Sequence, residues 1–151
     1  MNEPGWGETL CVVGLRAATD RDAITLAAAH LGDRVKPTFL AAALARERRS
    51  PTGLPFPGAA VAIPHAEPEH VASPCLLVAS LAEPVRFRQM GSPGETVLAR
   101  LLVMPALSAK EQAAAGLAGI LERLQSAELR DRVLAAATPE AMRAALRGEA
   151  P

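Results

Sequence analysis

The chain has 151 residues, half of them apolar, with Lys+Arg and Asp+Glu balanced at 16 each. That length suits one domain with a real core, and the balanced charge excludes a global field for nucleic acid or an anionic membrane. The aromatic residues are only Trp6, Phe39, Phe56 and Phe87, so the core is built from Ala, Leu and Val.

Thr9 to Leu15 reads as a first strand. Thr19 offers a helix N-cap, with Asp22 three residues on as a capping-box-like pair. Ile24, Ala27, Ala28 and Leu31 repeat at helical spacing, and Gly32 supplies a stop. A second helix is expected from Pro37, a favoured first-turn residue, with Phe39, Leu40, Ala43 and Leu44 facing inward. It ends in Arg46-Glu47-Arg48-Arg49. Residues 51–59 hold three prolines and two glycines, which predicts a stiff surface loop without regular structure. Strand signals follow at Ala60–Ile63, Cys75–Leu81 and Val97–Met104. The last two are continuous apolar runs, as expected of central strands covered on both faces. Between them, Glu83 to Gly94 reads as a short edge segment and a turn. A long helix from Ala109 to Gln125 comes next, extended by Glu128–Ala136. Thr138-Pro139 then starts a final helix that runs to Leu146. This order predicts a single α/β sandwich with a mixed sheet.

Cys11 and Cys75 lie in apolar runs and read as buried thiols in a reducing compartment. No apolar run approaches a membrane span, and no basic-then-apolar leader opens the chain. The cytoplasm is the expected location.

Chemistry centres on the histidines. His30 reads as a helix-end residue favoured by the dipole. His70 reads as a loop residue, near enough in sequence to His65 to line the same site. His65 follows a strand and a rigid proline, between the small residues Ala62 and Ala66. On pattern alone it is either a reactive imidazole or an ordinary strand-end side chain. Metal ligation is disfavoured, because His65 and His70 lack helical i, i+4 spacing and no Cys-x-x-Cys occurs. Gly-x-Ser-x-Gly, Walker and Gly-x-Gly-x-x-Gly motifs are absent, so neither a serine hydrolase nor a nucleotide cradle is argued, and no cofactor is expected. What survives is a histidine nucleophile with arginines nearby. A neutral imidazole attacks phosphorus, and guanidinium groups stabilise phosphoryl oxygens. Arg46, Arg48 and Arg49 are candidates for that task, or simply a solvated helix end.

Read together, Arg46-Glu47, Pro51-Thr52-Gly53-Leu54 and Val61-Ala62-Ile63-Pro64-His65-Ala66 resemble the signature of the fructose/mannitol-type IIA component of the phosphoenolpyruvate-dependent sugar phosphotransferase system. The resemblance runs from the first strand to the last helix, so residues 1–151 are expected to form one such domain. The longer loop between Thr52 and His65, and the stretch Glu83-Pro-Val-Arg-Phe-Arg-Gln-Met-Gly91, are similar to the galactitol-like branch. The family fold implies about five strands flanked by helices.

The resemblance implies a phosphotransferase component. His65 would accept a phosphoryl group from the phosphocarrier protein HPr and pass it to a cysteine of a sugar-specific IIB component. Arg46 would stabilise the phosphate, with Arg49 as a backup, and Glu47 and Thr52 would support the site. Many members carry a second histidine at the start of the long helix after the last central strand. Here that region reads Ala109-Lys110-Glu111-Gln112-Ala113, so Lys110, Glu111 or Gln112 would stand in its place. The alternative is a phosphorylation-dependent regulatory module. Leu54, Phe56 and Ala66 are expected at the rim of a shallow partner surface around His65, and no metal, nucleic acid or direct membrane insertion is implied.

Overall fold

The computed structural model describes residues 8–107 and 110–148, with residues 110–113 described by their backbone alone. The elements are β1 (Glu8–Leu15), α1 (Asp20–Ala29), α2 (Phe39–Arg49), β2 (Gly53–Leu54), β3 (Ala60–Ala62), β4 (Cys75–Gln89), β5 (Ser92–Ala106), α3 (Lys110–Leu124), α4 (Ala127–Ala135) and α5 (Pro139–Leu146). Five strands form one mixed sheet, as expected. β1 runs parallel to β4, β4 antiparallel to β5, β5 parallel to β3, and β3 antiparallel to β2. The short β2 also meets the far end of β4, at Gly53 opposite Gln89.

The apolar runs of β4 and β5 divide their side chains between two cores, because successive residues point to opposite faces. Leu77, Phe87, Leu102 and Met104 pack with Ile24, Leu31, Phe39 and Ala43 of the α1–α2 layer. Leu76, Val78, Leu101 and Val103 pack with Ile120, Leu124, Val133 and Met142 of the α3–α5 layer. Apart from Ala43, each such fully buried side chain contributes roughly 1.5–3 kcal/mol relative to exposure. The caps read from sequence hold. Thr19 Oγ1 accepts the Asp22 N–H at 3.1 Å, and Thr138 Oγ1 accepts that of Ala141 at 3.1 Å, with Pro139 in the first turn.

Four expectations need correction. Glu83–Gly94 is not a separate edge segment: β4 and β5 continue through it as one hairpin, turning at Gly91 with φ +77°. Val85 and Phe87 keep the inward alternation and pair with Ala99 and Val97. Pro84 is tolerated because it falls in the register shift between Ser80 and Val85. Residues 51–59 are not simply a surface loop, since Pro51, Thr52 and Gly53 are buried and β2 forms there. Helix α2 begins at Phe39, not Pro37. Helix α4 is a separate element, started by Ser126 Oγ accepting the Leu129 N–H at 3.2 Å.

Candidate functional site

Strand β3 delivers Ile63-Pro64-His65 to the edge of both cores. Ile63 and Pro64 are buried and His65 is half-buried. The His65 Nδ1 lies 2.7 Å from the Ile63 carbonyl oxygen. A carbonyl only accepts, so Nδ1 carries the proton and Nε2 keeps its lone pair in the neutral ring. Burial pushes the His65 pKa below its ordinary value; the Ile63 hydrogen bond opposes that shift, Arg46 adds to it and Glu67 opposes it. The ring is therefore neutral at pH 7 and presents a nucleophilic nitrogen.

The three pieces of the sequence motif form one hydrogen-bonded chain. Glu47, only 5% exposed, accepts the Thr52 backbone N–H at 2.9 Å and the Thr52 hydroxyl at 2.8 Å. The Thr52 hydroxyl in turn accepts the Ile63 N–H at 3.1 Å. Ile63 then holds His65 through its carbonyl. Burial raises the Glu47 pKa, and the two Thr52 hydrogen bonds act against that shift. Gly53 follows Thr52 because nothing larger fits there. A Cβ at Gly53 would lie 2.7 Å from both the Arg88 carbonyl oxygen and Val97 Cγ2. Arg88 also donates to the Glu47 carbonyl at 3.2 Å and to the Arg48 carbonyl, capping the end of α2.

Arg46 lies in the last turn of α2 and donates from Nη1 to Glu67 Oε1 at 2.7 Å. Its Nε is buried and has no hydrogen-bond partner. The charges of Arg46 and Glu67 both reach the His65 ring, the first lowering and the second raising its pKa. Arg48 and Arg49 lie exposed at the helix end, which fits a solvated terminus. The side chains of Lys110, Glu111 and Gln112 lie outside the described residues. His30 caps the end of α1 and is exposed. His70 Nδ1 lies 2.8 Å from Thr38 Oγ1, at the opposite end of α2 from Arg46.

The expected rim is more enclosed than its sequence suggested. Ala66 is buried in the first core, while Leu54 and Phe56 are half-buried against the second. Arg130, 2% exposed, stands 5.1 Å over the Phe56 ring and donates to the carbonyls of Leu124 and Pro57, each at 2.6 Å. Sequence reading missed three residues here. Glu67 was visible only as a carboxylate two positions after His65. Arg88 sat in the Glu83–Gly91 stretch without a role. Arg130 carries no local signal in the sequence.

Both cysteines are free, and burial pushes the Cys75 thiol up to about 11, which makes it inert. Among the described residues, no cluster of three or more His, Cys, Asp or Glu side chains could hold a metal ion. No helix there is long and apolar enough to cross a membrane.

A small mixed α/β sandwich with a tethered, neutral imidazole just after a short sheet strand is the class that fold and site define. Residues 8–148 match the family described as "Phosphoenolpyruvate-dependent sugar phosphotransferase system, EIIA 2", and the chain belongs to that family. It is 32% identical over 108 residues to the 2-O-alpha-mannosyl-D-glycerate-specific EIIABC component of Escherichia coli K12, covering 72% of this chain and 16% of that much longer relative. The crystal structure of IIA mannitol from Escherichia coli is similar at TM-score 0.72 and 25% identity, over 90% of this chain and 94% of that one. A solved Escherichia coli complex of IIA mannitol with phosphorylated IIB mannitol matches at TM-score 0.73 and 23% identity, over 92% and 94%.

Proposed function

We propose that residues 1–151 form one IIA domain that carries a phosphoryl group on His65 between HPr and a sugar-specific IIB component. The observation that carries this reading is the commitment of His65 Nδ1 to Ile63, which leaves Nε2 as the nucleophile; Arg46, whose charge acts on the ring, keeps an unpartnered Nε. In the forward step, Nε2 forms a bond to phosphorus as phosphorus leaves the donor, and Nδ1 keeps its proton on Ile63. In the second step, the bond between Nε2 and phosphorus breaks as an IIB thiolate takes the group. Arg46 offsets the phosphoryl charge with charge-assisted hydrogen bonds. Arg49 is the reserve cation. Glu47 and Thr52 hold the strand end, and Lys110, Glu111 or Gln112 take the place of a second histidine.

The IIB partner is supported by the mannitol IIA–IIB complex with the same fold. Sugar transport as the setting is supported by the family and by the mannosylglycerate relative. The Glu83–Gly91 stretch favours a galactitol-like polyol, and the relative's own substrate is the competing choice. The cytoplasm is the compartment this role requires.

The test is labelling with phosphoenolpyruvate, enzyme I and HPr. We expect an acid-labile phosphate on the chain that His65→Ala abolishes; label that survives this substitution removes the assignment. The alternative, a regulatory module, draws on the lack of a histidine among residues 108–113. Recovery of a regulator without any IIB-like protein in a pull-down supports that alternative.

A further inference from the structure

We infer that Glu67 is a positioning residue, which holds Arg46 by one nitrogen so that another edge of the guanidinium is presented to a phosphoryl group on His65. This inference rests on the phosphoryl-carrier reading above.

Glu67 engages a single nitrogen of the Arg46 side chain. A guanidinium is a rigid planar fork of five N–H groups. Nη1 lies on the same side as Cδ, so Nε–H shares its edge with Nη2. Glu67 takes Nη1 at 2.7 Å and leaves the Nε–Nη2 edge untouched. That edge contains the one buried nitrogen of Arg46 without a partner. A side-on fork of this kind matches two oxygens of a phosphoryl group. An arriving phosphoryl group therefore has no need to displace Glu67. The carboxylate is a tether, not a competitor.

The placement of Glu67 supports this. Ile63, two residues before His65, holds the ring. Glu67, two residues after it, holds the guanidinium. Both tethers belong to one short segment, so the nucleophile and its cation keep a fixed spacing even if the segment shifts. The Glu67 side chain is 53% exposed, so the core does not depend on it. Glu67 and Arg46 also act on the His65 ring with opposite sign. The pair thus brings a guanidinium close without imposing a full positive charge on the imidazole.

The test compares phosphoryl uptake from labelled phosphoenolpyruvate, enzyme I and HPr by wild type, E67A, R46A and the double variant. E67A should slow the initial rate about tenfold, as expected when a reacting group loses its alignment. R46A should slow it further, and E67A should cost nothing more in the R46A background. An equal loss in both backgrounds shows that Glu67 does not act through Arg46 and overturns the inference. E67A at the wild-type rate overturns it alone; a wild type that takes no label overturns the carrier reading with it. A second readout needs no partner protein. The Arg46 Nε–H proton of the isotopically labelled chain should exchange with water at least about tenfold faster in E67A, because the side chain loses its anchor. Unchanged exchange also overturns the inference.

Discussion

The Nδ1 nitrogen of His65 lies 2.7 Å from the carbonyl oxygen of Ile63, two residues earlier in the chain. This contact decides which nitrogen reacts. The phosphorylated protein should carry its phosphate on Nε2, and nitrogen and phosphorus NMR of the labelled chain will identify the isomer. Phosphate on Nδ1 would mean that the Ile63 bond breaks first, contrary to the geometry.

Burial holds the His65 imidazole below its ordinary value of 6.5. The rate of phosphoryl acceptance should therefore stay level as pH falls past about 6.5, and drop only at the lower folded-state value. Stability carries the same signature. Between the folded value and 6.5 the unfolded chain binds more protons, so stability is lost as pH falls across that interval. Urea melts at about pH 7.5 and about pH 5.5 should show this loss in wild type and a smaller one in His65→Ala.

The Thr52 hydroxyl accepts from Ile63 and donates to Glu47. Thr52→Val removes both bonds at nearly constant shape, leaves the buried Ile63 N–H with only its longer bond to the residue-52 carbonyl at 3.4 Å, and strips a buried Glu47 carboxylate oxygen of its hydroxyl donor. We expect a loss of about 1–3 kcal/mol, together with slower phosphoryl transfer. Thr52→Ser keeps the hydroxyl and should recover most of both. A valine variant as stable and as active as wild type would show that the chain from Glu47 to His65 is incidental.

Gly53 has no room for a side chain, with the Arg88 carbonyl and Val97 Cγ2 each 2.7 Å from where a Cβ would stand. Gly53→Ala should cost about 1–3 kcal/mol, the usual range for overpacking, or more, because one neighbour is backbone. The adjacent Thr52 is displaced with it. Thermal melts test the first effect and labelling of His65 the second; a neutral alanine variant contradicts both.

Much of this arrangement is written locally in the chain. Thr19 and Thr138 announce their helices because a cap is a contact between near neighbours. The Pro-His segment is legible for the same reason, since the strand, the proline and the imidazole are consecutive. The Arg-Glu and Thr-Gly pieces stood out only as parts of a pattern. Their physical link, from Glu47 through Thr52 to Ile63, joins residues 11 positions apart at most within each bond. Arg88 and Arg130 escaped because their partners lie 41 and 73 positions away. The hairpin arm was misread because proline and charged residues in Glu83–Gly91 look like a turn. What sustains the strand there is cross-strand pairing of Val85 and Phe87 with Ala99 and Val97, which no local window contains.

The Arg130 side chain joins the Pro57 carbonyl to that of Leu124, and so ties the stretch just before β3 to the α3–α5 layer that it packs against. Exposed proline- and glycine-containing turns are ordinarily the first places a protease cuts. Here the chain around Pro57 should resist nicking until α4 detaches, so that cleavage in this stretch and loss of the C-terminal helices share one opening event. Arg130→Met should uncouple the two. Limited digestion would then release the segment leading to His65 while α3, α4 and α5 stay folded.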